Sequence, residues 1–207
     1  MKINVISNNP YIYYIDDFVT DEECDFIINK SKDNMKKANV AYSSEEEYKK
    51  ITSSNYSGRT NDSHWIDHHD YPTMLQLCKR ISKKISCNYH DFENFQVIRY
   101  KECQSYNYHH DAWDRNDKDC YEKYCSELGN RKTTVLCYLN DVDEGGETGF
   151  DMLSDGPPTL IKPKKGRIVV FYNLNDDGSL NMKTRHSGLP IIKGEKWAFN
   201  LWLRDYL

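Results

Sequence analysis

The sequence predicts an α+β fold, with helices first and a β-sandwich or jelly roll after them. Two amphipathic helical patterns occupy the first half of the chain. Four short β-branched or alternating runs, separated by turn residues, follow from residue 95 onward. At 207 residues the chain suits one domain with a sizeable core. Residues 1–207 are expected to form that single domain, with a strand-and-helix extension over about 1–92 and a β-rich core over about 93–207.

YIYYIDDFV, residues 11–19, reads as a short strand because aromatic and β-branched residues suit a half-buried pleated surface. Thr20 then opens a helix. Thr20 and Glu23 have the spacing of a capping box, and Cys24, Ile27 and Ile28 recur on one helical face. Residues 41–63 are polar and Ser-rich and read as a mobile loop, with the glutamates at 45–47 as solvated surface. Pro72 suits the first position of a second helix, where its missing N–H has no partner to lose. Met74, Leu77, Cys78, Ile81 and Ile85 form the core face of that helix. The strands follow as FQVIRY (95–100), TTVLCYL (133–139), RIVVFYN (167–173) and WAFNLWL (197–203). The chain carries no internal repeat.

Composition narrows the function classes. A formal charge of -4 argues against a dedicated nucleic-acid binder. No apolar run approaches the roughly 18 residues of a membrane helix, so no membrane partner is expected. The start, MKINVISNNP, lacks the apolar stretch of a signal peptide. Seven cysteines form an odd set without CxxC pairs, which points away from a zinc ribbon or a disulfide framework. Reduced thiols in an intracellular, cytoplasmic setting are the expectation, with Cys120 and Cys125 close enough to pair in an oxidising one. Asn55 and Asn61 begin glycosylation patterns, which matter only in a secreted chain. Nothing in the sequence sets the oligomeric state.

The chemistry concentrates in YHHDAWD, residues 108–114. Residues two apart on a strand face one side, so His109 and Asp111 can meet one ion while His110 points away. His68-His69-Asp70 repeats the same pattern, but it precedes a helix and reads as surface polar residues. A third ligand stands far downstream at His186, in TRHSGLPIIKGEKW, after enough chain to cross a sandwich and return. Two neutral imidazoles and one carboxylate favour non-haem Fe(II) and leave three positions open, whereas a structural zinc site is closed by four protein ligands. A 2-oxo acid can fill two of those positions and O2 the third. The far carboxylate of 2-oxoglutarate then needs a cation, because a buried carboxylate is costly unpaired. Lys196, at the start of the last strand, supplies one.

These residues sit within a longer match. DDFVTDEECDFI (16–27), SGRTN (57–61), ENFQVIRYKECQSYNYHHD (93–111), RKTTVLCYLNDVDEGGETGF (131–150), KPKKGRIVVFYNLNDDGSL (162–180) and RHSGLPIIKGEKWAFNLWLR (185–204) run in order along the chain. Together they resemble the prolyl 4-hydroxylase group of Fe(II)/2-oxoglutarate dioxygenases, of the collagen and plant cell-wall type. The resemblance implies a double-stranded β-helix, or jelly roll, with N-terminal helices packed on one sheet. It implies 4-hydroxylation of a proline-containing peptide or protein by Fe(II), 2-oxoglutarate and O2, with ascorbate as reductant.

It further implies His109, Asp111 and His186 as iron ligands and Lys196 as the partner of the C5 carboxylate. Tyr100, Thr148 and Trp202 become co-substrate and active-site contacts, and Arg59, Glu93, Tyr106 and Arg131 line the peptide groove. Gly145 and Gly146 make a turn. Lysine rather than arginine at 196 favours the collagen and plant-like branch. The chain departs from the common pattern at Cys103, Tyr108 and Arg204, which bear on substrate preference, and the polar insert 113–130 is expected to be a lid. The alternatives are the same chemistry on lysine or another acceptor, a jelly-roll binding module with a vestigial or structural metal site, and a thiol-redox protein.

Overall fold

Side chains alternate along the strands, so the long strands of the fold face two separate sides. The computed structural model describes residues 1–41, 49 and 58–205. Its elements, in chain order, are β1 (Asn4–Asn8), β2 (Tyr11–Ile15), α1 (Asp21–Ser31), β3 (Lys36–Lys37), β4 (Asp62–Ile66), α2 (Pro72–Ile85), β5 (Phe95–Tyr100) and β6 (Tyr106–His109). They continue as α3 (Lys118–Cys125), β7 (Arg131–Tyr138), β8 (Glu144–Gly145), β9 (Thr148–Phe150), β10 (Thr159–Ile161), β11 (Ile168–Tyr172), β12 (His186–Gly188), β13 (Ile191–Lys193) and β14 (Lys196–Arg204).

An eight-stranded sheet has the order β1-β2-β11-β7-β14-β5-β4-β3, and a four-stranded sheet has the order β10-β9-β12-β6. A short β13-β8 pair closes one end. The two larger sheets form the jelly roll, and α1 and α2 cover the outer face of the larger one.

Period-two alternation separates two cores. On the helix side, Phe95, Val97, Val135, Cys137, Ile168, Val170, Trp197, Phe199, Leu201 and Leu203 meet Cys24 and Ile27 of α1 and Met74, Leu77, Cys78 and Ile81 of α2. Between the sheets, the intervening residues Ile98, Tyr100, Leu136, Tyr138, Val169, Phe171 and Ala198 pack with Phe150, Ile161 and Ile191. The strands therefore read as continuous apolar runs because both faces are buried. Lys196, Asn200 and Trp202 belong to the inner set of β14 by the same alternation, which points them into the roll.

The capping box at Thr20 forms as its spacing requires: Glu23 N donates to Thr20 Oγ1 at 3.2 Å and Thr20 N donates to Glu23 Oε2 at 2.9 Å. Glu23 also accepts from both terminal nitrogens of Arg80, at 3.0 and 2.6 Å, so the cap ties α1 to α2. Pro72 opens α2 as expected.

Some expectations change. The strand expected over 11–19 stops at Ile15, and β1, absent from the sequence reading, pairs with it. β1 to β4 lie in the same sheet as β5, β7, β11 and β14, so the strands of the N-terminal extension continue the core sheet. His68 is 2% exposed, which overturns the surface reading of His68-His69-Asp70 for its first member. Asn61 is fully buried and donates to the Asp62 carbonyl, so the folded chain offers no glycan acceptor there. Asn55 and the glutamates at 45–47 lie outside the described residues. Cys125 is a free thiol, so the pairing of Cys120 with Cys125 foreseen for an oxidising setting is not formed. Among the described residues no helix is long and apolar enough to cross a membrane.

Candidate active site

Register brings the ligand candidates together. β12 pairs antiparallel with β6 so that His186 stands opposite His109, and their ring centroids are 4.4 Å apart. Asp111 follows just beyond the end of β6. Its Oδ1 lies 3.6 Å from His109 Nε2 and its Oδ2 lies 3.7 Å from His186 Nε2. One ligand atom from each residue lies within 4.8 Å of the others. His110 turns aside, its Nε2 lying 3.1 Å from the Met182 carbonyl oxygen.

Both imidazoles are fixed from behind. His109 Nδ1 is 2.8 Å from the Asn107 carbonyl oxygen, and His186 Nδ1 is 2.9 Å from that of Thr184. A carbonyl only accepts, so each Nδ1 carries a hydrogen, and the ring in its neutral form turns the Nε2 lone pair to the gap between the rings. Burial pushes His186 down to about 4, which keeps it neutral near pH 7. Burial also works against charge on Asp111, but His186 and His109 outweigh it and hold the carboxyl below its usual range.

Asp111 is held by a directed chain. Asn173 Nδ2 donates to Thr134 Oγ1 at 2.9 Å, and Thr134 Oγ1 donates its one hydrogen to Asp111 Oδ2 at 2.7 Å. Oδ2 is thereby engaged, and Oδ1 is left to face an ion. The fit to Fe(II) rests on this donor set: two aimed imidazole nitrogens and one oriented carboxylate, with no fourth His, Cys, Asp or Glu in the group among the described residues. Thr134 and Asn173 were absent from the sequence reading. The available signal is a polar side chain at 134 on the inward face of a strand whose other inward residues, Leu136 and Tyr138, are apolar.

A narrow chamber lies on one side of the triad, with Tyr100, Thr148, His186, Gly188 and Lys196 in its walls. Lys196 pairs across the sheet with Tyr100, sits 4.5 Å above its ring, and donates to the Gly146 carbonyl at 2.7 Å. Gly146 has φ +74, and a Cβ there would lie 2.5 Å from Ile191 Cδ1, so glycine is required to bring that carbonyl to the ammonium. Lys196 is 2% exposed and forms no ion pair among the described residues. Burial pushes its pKa down to about 7, against a smaller upward pull from Glu147. Thr148 accepts from the Tyr138 hydroxyl at 2.7 Å and keeps its own O–H to donate.

On the other side opens a groove of about 650 Å³ whose walls include Trp65, Tyr106, Trp113, Arg131 and Trp202. Tyr106 stacks on His109 at 3.6 Å. Trp202 lines this groove and not the chamber, which moves it from co-substrate contact to groove wall. Its Nε1 is buried without a partner among the described residues.

Of the expected groove residues, Arg59 lines it, as expected, while Glu93 does not. Arg59 is 7% exposed and donates to Asn61, the Asn39 carbonyl and Gln96, with its guanidinium carbon 4.7 Å from the Tyr106 ring centroid. Glu93 is clamped by Arg131 at 2.6 and 2.8 Å and by Arg204 at 2.6 Å, because two guanidiniums beside one carboxylate hold it as their counter-ion.

Arg131 in turn lies 3.6 Å from the Trp202 ring centroid. The insert expected as a lid carries α3, which is docked and not loose. Tyr124 stacks on Trp113 at 4.9 Å, and Arg204 donates to the carbonyls of Tyr124 and Gly129. Ser63, His64 and Trp65 of β4, unmarked in the sequence reading, complete the far wall.

Comparison with known proteins converges on one family. Residues 95–204 match the model described as the 2OG-Fe(II) oxygenase superfamily. Prolyl 4-hydroxylase 2 of Arabidopsis thaliana is 31% identical over 98% of this chain and 70% of its own length. Prolyl 4-hydroxylase subunit alpha-1 of Gallus gallus is 29% identical over 96% of this chain and 36% of its own length. Among solved structures, a viral collagen prolyl hydroxylase from Paramecium Bursaria Chlorella virus-1, in complex with 2OG, superposes with a TM-score of 0.66. It is 30% identical, over 95% of this chain and 97% of that one.

The Asn173–Thr134–Asp111 chain makes a direct prediction. Thr134→Val keeps the side-chain shape and removes the donor to Oδ2. It is expected to weaken Mn(II) or Fe(II) binding by about 10-fold or more, as loss of a group that orients a metal ligand does. Anaerobic metal titration with thermal unfolding as a fold control checks this, and unchanged affinity would contradict the orienting role.

Proposed function

The chain belongs to the 2OG-Fe(II) oxygenase superfamily, in its prolyl 4-hydroxylase branch, and from that premise we propose that it hydroxylates peptidyl proline at C4. The reaction consumes 2-oxoglutarate and O2. One oxygen atom enters the C4–H bond, and the other enters the succinate that forms as CO2 leaves.

The observation that carries the reading is the position of the triad. His109, Asp111 and His186 meet where the chamber ending at Lys196 adjoins the aromatic groove. His109, Asp111 and His186 would hold Fe(II), which when bound supplies the redox chemistry that activates O2. Lys196 would hold the distal carboxylate of 2-oxoglutarate, with Tyr100 and Thr148 as flanking donors. Ascorbate is the reductant that fits this chemistry. The buried walls exclude water from the reacting centre.

The substrate reading rests on the groove. Proline-rich peptides are preformed polyproline II helices, and aromatic-lined grooves take them at low entropic cost. Trp65, Tyr106, Trp113 and Trp202 supply such walls. The unpartnered Trp202 Nε1 leaves a donor for a peptide carbonyl, the group a polyproline II chain exposes most freely. Tyr106, backed by Arg59 and stacked on His109, sets the distance between groove floor and metal ligands. An odd set of cysteines without CxxC pairs supports an intracellular location.

Mass spectrometry of proline-rich, collagen-like and lysine-containing peptides, run beside succinate release, tests the function. One added oxygen on proline, lost in His109→Ala, is the expected result. Oxygen added only to lysine would overturn the substrate class, and undiminished turnover in His109→Ala would overturn the ligand assignment. Lys196→Ala should raise KM for 2-oxoglutarate by about 100-fold or more, with turnover partly restored at high co-substrate. Removing one partner of a buried ion pair costs roughly 3 kcal/mol, and 1.4 kcal/mol is about tenfold.

Burial of Lys196 also dictates a pH dependence. Its pKa lies near 7 in the empty site, so above that pH the lysine is largely neutral and must take up a proton to pair with a carboxylate. Affinity for 2-oxoglutarate should therefore fall as pH rises from about 7 to 9, with proton uptake on binding. Calorimetry in buffers of different ionisation enthalpy measures both. Lys196→Arg, which stays charged, should flatten the profile. A wild-type profile flat over this range would count against an ammonium of lowered pKa.

A further inference from the structure

We propose that Asp67, His68 and His69 form a second metal site, for a zinc-type transition ion, outside the active site. The three residues follow β4 directly, at the junction of that strand with α2 and the turn at 89–91. One ligand atom from each lies within 4.8 Å of the others.

The independent observation is His68. Its side chain is 2% exposed, yet neither Nδ1 nor Nε2 has a hydrogen-bond partner. Buried polar groups in folded proteins are almost always partnered, and an imidazole with two orphaned nitrogens asks for an occupant. Its ring lies 4.2 Å from that of His69 and 6.1 Å from that of Phe95, so it is wedged between an apolar neighbour and a second ligand candidate. Burial lowers its pKa and keeps it in the neutral form that ligates metals.

The neighbours complete a donor set. Asp67 Oδ1 lies 2.9 Å from His69 Nδ1 and accepts from His69 N at 2.8 Å, which holds carboxylate and imidazole on one side of the turn. The His90 ring stacks 6.3 Å from His69 and places another imidazole at the margin. Nitrogen and carboxylate donors of this kind suit Zn(II), Co(II) or Ni(II), whereas Ca(II) and Mg(II) prefer all-oxygen shells. The active site differs in setting, because its triad opens to a chamber and a groove while this cluster lies at the surface end of β4. Trp65, two residues before Asp67, lines the groove. A bound ion would thus pin the end of one groove wall against α2.

Metal uptake tests this independently of catalysis. In equilibrium dialysis of the full chain against Zn(II), the wild type should retain two ions, His109→Ala one and His69→Ala one, with none left in the double variant. Asp67→Asn should behave as His69→Ala does. His69 and Asp67 have side chains 52% and 45% exposed, so their replacement leaves the core intact. Both variants should keep the wild-type circular dichroism and 2-oxoglutarate turnover.

A single ion in the wild type, lost in His109→Ala, would overturn the proposal, as would uptake unchanged in both His69→Ala and Asp67→Asn. Co(II) spectra separate histidine from cysteine ligation. The expected second-ion spectrum lacks a thiolate-to-metal charge-transfer band, and a strong band surviving in His69→Ala would assign that ion to cysteine and refute the site.

Discussion

The antiparallel register between β6 and β12 is the constraint on which the site depends. It sets His186 opposite His109, and the short continuation past β6 delivers Asp111 between them. A slip of one residue would turn His186 to the other face, because side chains alternate along a strand. β12 is held on both sides, by β6 and by β9, so the register is set twice. The carbonyls behind each imidazole and the Thr134 hydroxyl behind the carboxylate then reduce the remaining freedom to small rotations.

The larger sheet divides its two faces between stability and chemistry. Its outer face is a largely apolar surface under α1 and α2, and burial of that surface stabilises the fold. Its inner face carries Tyr100, Thr134, Lys196 and Trp202, groups that weaken a purely apolar core. Lys196 is the clearest case: a buried amine with a lowered pKa that donates to the Gly146 carbonyl and forms no ion pair among the described residues. Stability banked on one face is spent on this preorganised polarity on the other.

The parts legible in the sequence are those with long-range periodicity or unusual chemistry. β5, β7, β11 and β14 announce themselves as β-branched and aromatic runs, and α2 by its apolar stripe and leading proline. The HxD pair, His186 and Lys196 stand out because few other roles suit them at those places. Short strands such as β9, β12 and β13, three residues each, carry too little periodicity to be read. Residues acting through another residue were equally hidden. Nothing local says that Glu93 balances two arginines, that Arg59 backs a tyrosine, or that Asn173 reaches Thr134, since each partnership joins strands distant in the chain. The buried His68 escaped for the same reason: its HHD context is polar, and the turn at 68–70, packed against α2 and Phe95 of β5, takes it inside.

The central claim is that three side chains hold one ion from a single side and leave the facing positions for the co-substrate. Calorimetry of 2-oxoglutarate binding, with and without Mn(II) and in the absence of O2, tests it most directly. The account requires tight binding only with the metal present, and loss of that metal dependence in His186→Ala. Equal affinity with and without metal, or full metal dependence retained in His186→Ala, would contradict it.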